Sequence, residues 1–209
     1  MSLEKKIAII DYGAGNLKNV ETALRETGIT GIITADPLVI DDSDAIILPG
    51  VGAFRDAMNR LNESVLTDII DRNVRRGKLF QGICLGMQML FDSSSEDGLT
   101  AGLGYIPGTV ELMEPEGLKI PHMGWNELVV CHPEDPFMKG VETGEYVYFV
   151  HSYRAVPAFF DDNVLAYAEY GMKVPAVVRK DNVIGTQFHP EKSAAAGAKF
   201  LNNLKELIV

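Results

Sequence analysis

Residues 78–92, KLFQGICLGMQMLFD, join an apolar run to a helical pattern through a cysteine flanked by glycines at minus two and plus two, Gly82, Cys84 and Gly86. A short continuous apolar run bounded by glycine fits a strand buried on both faces, the kind found in parallel sheets covered by helices. The texture recurs upstream. KIAIIDYG (6–13) precedes NLKNVETALRETG (16–28), where Leu17, Val20 and Leu24 share one helical face before a Gly stop. DAIILPGVG (44–52) precedes helical stretches at 53–62 and 64–76. Three strands, each followed by helix, predict an α/β fold with a mostly parallel central sheet and right-handed crossovers. Beyond residue 105 come short β-rich segments between turns, GTVELM, NELVV, YVYFVHSY, VLAYAEY, AVVRK and VIGTQF, expected to be antiparallel or mixed. SAAAGAKFLNNLKELIV (193–209) reads as a closing amphipathic helix despite Gly197.

A chain of 209 residues is expected to fold as one domain, 1–209, with a core that needs no disulfide or metal staple. With 19 basic against 29 acidic side chains, a net charge of −10 repels phosphate backbones, so no nucleic-acid partner is expected. MSLEKKIAII has too short an apolar run for a secretory signal or a membrane span, which predicts a cytoplasmic protein without membrane contact. In that reducing compartment Cys84 and Cys131 are expected to be free thiols.

Functional groups of open α/β sheets gather at the carboxyl ends of the strands, where Cys84 falls. A thiol at a helix N-terminus is activated by the helix dipole and free N–H groups. Gly82 and Gly86 supply the close approach of a strand-turn-helix elbow, mechanically like the G-x-S-x-G turn of serine hydrolases. Such a nucleophile needs a proton carrier oriented by a carboxylate. His122 and His132 neighbour prolines in loop-like segments, although Glu134 follows His132, and His151 ends an apolar run. His189 in GTQFHPEKS is the best base, with Glu191 across the stiffening Pro190. A buried structural cysteine and a solvated His-Glu pair are the plainer alternatives.

GICLGMQ, LPGVGAF (48–54) and QFHPEKS, at spacings spanning nearly the whole chain, resemble the class I (triad) glutamine amidotransferases. The resemblance implies a flavodoxin-like fold, a Cys84-His189-Glu191 triad that hydrolyses glutamine through a thioester, and no metal or cofactor. It also implies an oxyanion segment at Val51 and Gly52, and glutamine contacts from Gly50, Gln88 and Glu96. DYGAGNL (11–17), PHMGWNEL (121–128) and YFVHSY (148–153) are similar to one branch of the family, the glutaminase subunits of imidazole glycerol phosphate synthase. That branch implies a separate (β/α)8 cyclase subunit in a heterodimer, faced by Asn16, Trp125, Tyr148 and Lys192. Asn16 is a plausible N-cap, and GAGN alone also suggests a phosphate-type turn. Another class I glutamine amidotransferase subunit, a stand-alone cysteine hydrolase and a non-catalytic binding subunit remain open on the sequence.

Overall fold

Strand and helix alternate through the first half of the chain in the computed structural model, which describes residues 5–208. Residues 1–4, at the start of the segment expected to be neither signal nor span, and Val209, at the end of the expected closing helix, lie outside the described residues. The alternation runs β1 (Lys6–Ile10), α1 (Leu17–Glu26), β2 (Thr30–Thr34), α2 (Pro37–Asp42), β3 (Ala45–Gly50), α3 (Phe54–Asn62), α4 (Leu66–Arg75), β4 (Leu79–Cys84), α5 (Leu85–Gln88). There follow β5 (Phe91–Ser94), β6 (Thr100–Ala101), β7 (Ile106–Leu112), β8 (His122–Glu127), β9 (Val129–Val130), β10 (Tyr146–His151) and β11 (Tyr153–Pro157). The chain then continues through α6 (Phe160–Asn163), β12 (Val164–Glu169), β13 (Lys173–Lys180), β14 (Val183–Thr186) and α7 (Ala194–Leu207).

The main sheet has the order β2-β1-β3-β4-β14-β13-β12-β9. Its first five strands are mutually parallel, and counted along the chain they lie 2-1-3-4-5, the flavodoxin-like winding. The remaining three join antiparallel. Alternation along each parallel strand feeds two cores: Ile7, Ile9, Ile47 and Ile83 pack on one face, and Ala8, Ile10, Ile46, Leu48 and Phe80 on the other. The apolar runs are unbroken because both faces are covered. Each buried Ile, Leu or Phe contributes roughly 1.5–3 kcal/mol. Helix α1 turns Val20 and Leu24 inward, and α7 adds Phe200, Leu201 and Leu204.

Two sequence expectations change. A β2–α2 unit stands between the first two predicted units; TGIIT is half-buried at the sheet edge and carries no strong apolar signal. VIGT, expected among the antiparallel or mixed segments, is mixed: β14 runs parallel to β4 and antiparallel to β13. The helix expected in LGMQMLFD stops after one turn, and Phe91 already begins a strand. β5 and β6 pair antiparallel around a turn at 95–99.

Candidate active site

Cys84 ends the central strand β4 with φ 55° and ψ −111°, a positive-φ conformation that a non-glycine residue adopts only under constraint from its surroundings. Glycines make the constraint possible. A Cβ on Gly86 would overlap the Leu48 carbonyl oxygen, and one on Gly82 the carbonyl of Gly86, so β3, β4 and the turn meet backbone to backbone. The single turn α5 is too short for an appreciable macrodipole, so the dipole expected to activate the thiol contributes little. Its first N–H groups still have no intrahelical acceptor.

Cys84 opens into a cleft of about 360 Å³ lined also by Val51, Gly52, Leu85, Gln88, Glu96, His151, Tyr153 and His189. His189 and Glu191 are brought to it by β14 and a tight 3-10 turn, Pro190–Lys192. Ser193 ties this turn together: its Oγ donates to the His189 carbonyl at 2.6 Å and accepts from Tyr148 N at 3.0 Å. His189 N in turn donates to the Tyr148 carbonyl, so β10 anchors the turn on both sides.

His189 Nδ1 lies 2.8 Å from Glu191 Oε1, with both side chains almost wholly buried. Nε2 has no hydrogen-bond partner in this geometry. Burial lowers the imidazole pKa, but the neighbouring Cys84 and Glu191 outweigh it and raise the value to about 9. The Cys84 thiol is held by Gln187, whose Nε2 approaches Sγ at 3.8 Å, and reaches the Val150 carbonyl at 4.0 Å. Gln187 also accepts from Gln88 Nε2 at 3.1 Å. Neither Gln187 nor Tyr153 stands out in the sequence, since strand alternation alone does not tell a buried glutamine from an exposed one.

The remaining expected residues divide. Val51 and Gly52 line the cleft, Val51 being 43 % exposed and Gly52 holding φ 97°. Gly50 does not. It packs under the elbow, where a Cβ would come within 2.8 Å of Gly86 N and 2.9 Å of the Tyr12 hydroxyl. Glu96 lines the cleft while its Oε2 accepts from Phe54 N at 2.7 Å, capping the helix that leaves the Val51–Gly52 segment. Trp125, Tyr148 and Lys192 form one surface group: the rings meet edge-on at 6.1 Å, and Lys192 Nζ lies 5.9 Å from the Tyr148 ring centre. Asn16 stands at the N-terminus of α1 and makes no side-chain cap. In the GAGN turn, Asp11 Oδ1 accepts from Gly13 N and Arg60 donates to the Gly13 carbonyl.

A second cysteine-histidine-carboxylate series, Cys131, His132 and Glu134, lies on the surface and lacks the decisive feature. His132 uses both ring nitrogens, on Glu134 at 2.9 Å and on the Asp161 carbonyl at 2.7 Å, so none is left to take a proton from a thiol. Both cysteines are free thiols.

A doubly wound sheet with a strained cysteine elbow and a buried His-Glu pair over one cleft has the make-up of a cysteine-nucleophile hydrolase. The chain belongs to the class-I glutamine amidotransferase family, whose model matches residues 8–206. It is 50% identical over 202 residues to the imidazole glycerol phosphate synthase subunit HisH of Caldanaerobacter subterraneus subsp. tengcongensis, covering 97% of this chain and 98% of that protein. The HisH subunit of Methanothermobacter thermautotrophicus is 46% identical, at 97% and 98% coverage. A PurLQS structure from Thermotoga maritima superimposes with TM-score 0.76 at 24% identity, covering 98% of this chain and 100% of that one, which supports the fold alone. No helix among the described residues is long and apolar enough to cross a membrane.

Proposed function

We propose that this chain is the glutaminase subunit of an imidazole glycerol phosphate synthase, with Cys84, His189 and Glu191 as its triad. The observation that carries the triad is His189 in the cleft that holds the strained Cys84, its Nδ1 fixed by Glu191 and its pKa raised by both neighbours. His189 takes the thiol proton as Cys84 Sγ attacks the side-chain amide carbon of glutamine, and passes it to the nitrogen as the C–N bond breaks. Ammonia leaves, a thioester remains, and water activated by the same imidazole releases glutamate. Glu191 keeps the proton-bearing nitrogen of His189 turned away from the thiol and stabilises the imidazolium.

The N–H groups of Val51 and Gly52, joined by that of Leu85 after the nucleophile, are assigned to the developing oxyanion. Gln88 and Glu96 are assigned to the glutamine itself, and Gly50 to the packing beneath the elbow. The partner is a cyclase subunit of (β/α)8 fold that uses the ammonia to convert PRFAR to imidazole glycerol phosphate and AICAR in the cytoplasm. The half-exposed Trp125 and the Tyr148–Lys192 group are where it docks. Mass analysis of the quenched enzyme tests the chemistry. A glutamyl adduct on Cys84, absent from Cys84→Ala, is the expected result. Turnover of glutamine by Cys84→Ala would overturn it.

A further inference from the structure

Two buried histidines outside the triad form a chain whose protons can be placed one by one. His151 Nδ1 lies 2.8 Å from the Tyr153 carbonyl, which can only accept, so Nδ1 carries the hydrogen. Burial holds the His151 pKa down at about 3, so the ring is neutral and Nε2 is a bare acceptor. His122 Nδ1, 3.0 Å away, must therefore be the donor. Burial likewise lowers His122 to about 4, which leaves its Nε2 to accept from Asn126 Nδ2 at 3.3 Å. The His122 ring is clamped between Phe149 and Tyr170, with centroids 4.5 and 4.1 Å away. Each proton along this chain has one position.

The chain ends at the cleft. His151 lines it, and the Tyr153 carbonyl that His151 holds also accepts from Gln88 Nε2 at 2.9 Å. With Gln187 taking the other amide proton, the orientation of Gln88 is set, its carbonyl oxygen included. At the other end, His122 and Asn126 lie on β8, the strand that carries the exposed Met123 and Trp125.

We infer that His151, locked by His122, is a positioning residue for glutamine: it fixes the Tyr153 carbonyl and, through it, the Gln88 amide in the binding cleft. This rests on the reading of the cleft as a glutamine site. A histidine retained only for packing would tolerate either amide isostere. Asparagine places its N–H near Nδ1 and preserves the bond to Tyr153, whereas glutamine places its amide near Nε2 and loses that bond.

The test measures glutamine affinity by calorimetry in a Cys84→Ala background, with KM and kcat in the Cys84 protein mixed with the cyclase subunit. Thermal melts show that each variant is folded. His151→Gln is expected to weaken binding and raise KM about fivefold or more, with a smaller change in kcat, while His151→Asn stays within about threefold of the parent. His122→Phe, which like His151→Asn breaks the bond between the two rings but leaves the Tyr153 bond, should weaken binding less than His151→Gln. Equal effects of Asn and Gln, or none from any variant, overturn the inference while Cys84-dependent turnover stands. Failure of the Cys84→Ala chain to bind glutamine, together with no turnover by the parent, overturns the glutaminase reading and this inference with it.

Discussion

At Cys84 the backbone conformation and the chemistry have one cause. The positive φ lifts the thiol out of the strand line into the cleft, and glycines that let three segments touch make that conformation possible. In the proposed reaction the nucleophile has no carboxylate of its own, so its activation would depend on His189 and, behind it, on Glu191. Glu191→Gln would leave the packing nearly intact but let the imidazole carry its proton on the wrong nitrogen. Glutamate release should fall by about 10²–10⁴-fold. Stability acquires two opposite pH dependences at this scale. His189 has its pKa raised from 6.5 to about 9 on folding, so its contribution is full below 6.5 and is lost as pH rises through 9. In Glu191→Gln that alkaline decline should be shallower in denaturation curves measured between about pH 7 and 9.5. His122 and His151 are held neutral by burial, to about 4 and 3, so unfolding takes up protons once pH drops below 6.5. Stability should fall with acid through that window, and less steeply in His122→Phe, by the same measurement at about pH 7 and 4.5.

At the scale of elements, the site is a set of junctions where strands give way to turns and helices. Gly197 illustrates the point. Intrinsic propensity favours alanine over glycine inside a helix by about 1 kcal/mol. Here a Cβ would overlap the Pro190 carbonyl, so α7 packs directly on the turn that carries Glu191. Gly197→Ala should therefore lower stability by about 1–3 kcal/mol and reduce turnover, as seen by denaturant titration and glutamate release. A gain in stability would show that the turn yields freely. In the sequence Gly197 is only a flaw in a helical pattern, because the reason for it lies in another segment. The parallel core, by contrast, is legible, since strands covered on both faces keep unbroken apolar runs. The elbow and the His-Pro-Glu turn are legible because their residues are neighbours in sequence. Gln187, Tyr153 and the His122–His151 pair are not, because each acts through a partner at least 29 positions away or through a backbone carbonyl. The over-long helix expected after Cys84 has a similar origin: MLF fits a buried strand as well as a helix, and pairing with β7 decides it.

The whole molecule puts its one tryptophan, Trp125, 52 % exposed, on β8, the strand whose buried His122 is linked through His151 to the cleft. An exposed tryptophan beside Tyr148 and Lys192 suits the proposed docking surface, since a few such residues can carry most of an interface's affinity. Trp125→Ala should weaken assembly with the cyclase by about 30-fold or more in a titration, with the fold unchanged in circular dichroism. The central claim is that this chain hydrolyses glutamine through Cys84 as the ammonia-producing half of a synthase. Its most direct measurement is glutamate release by the purified chain alone and mixed with the cyclase subunit and its nucleotide ligand, with Cys84→Ala as the blank. The account predicts Cys84-dependent turnover that rises strongly in the full mixture. Turnover that is the same with and without partner and ligand, or that survives Cys84→Ala, would contradict it.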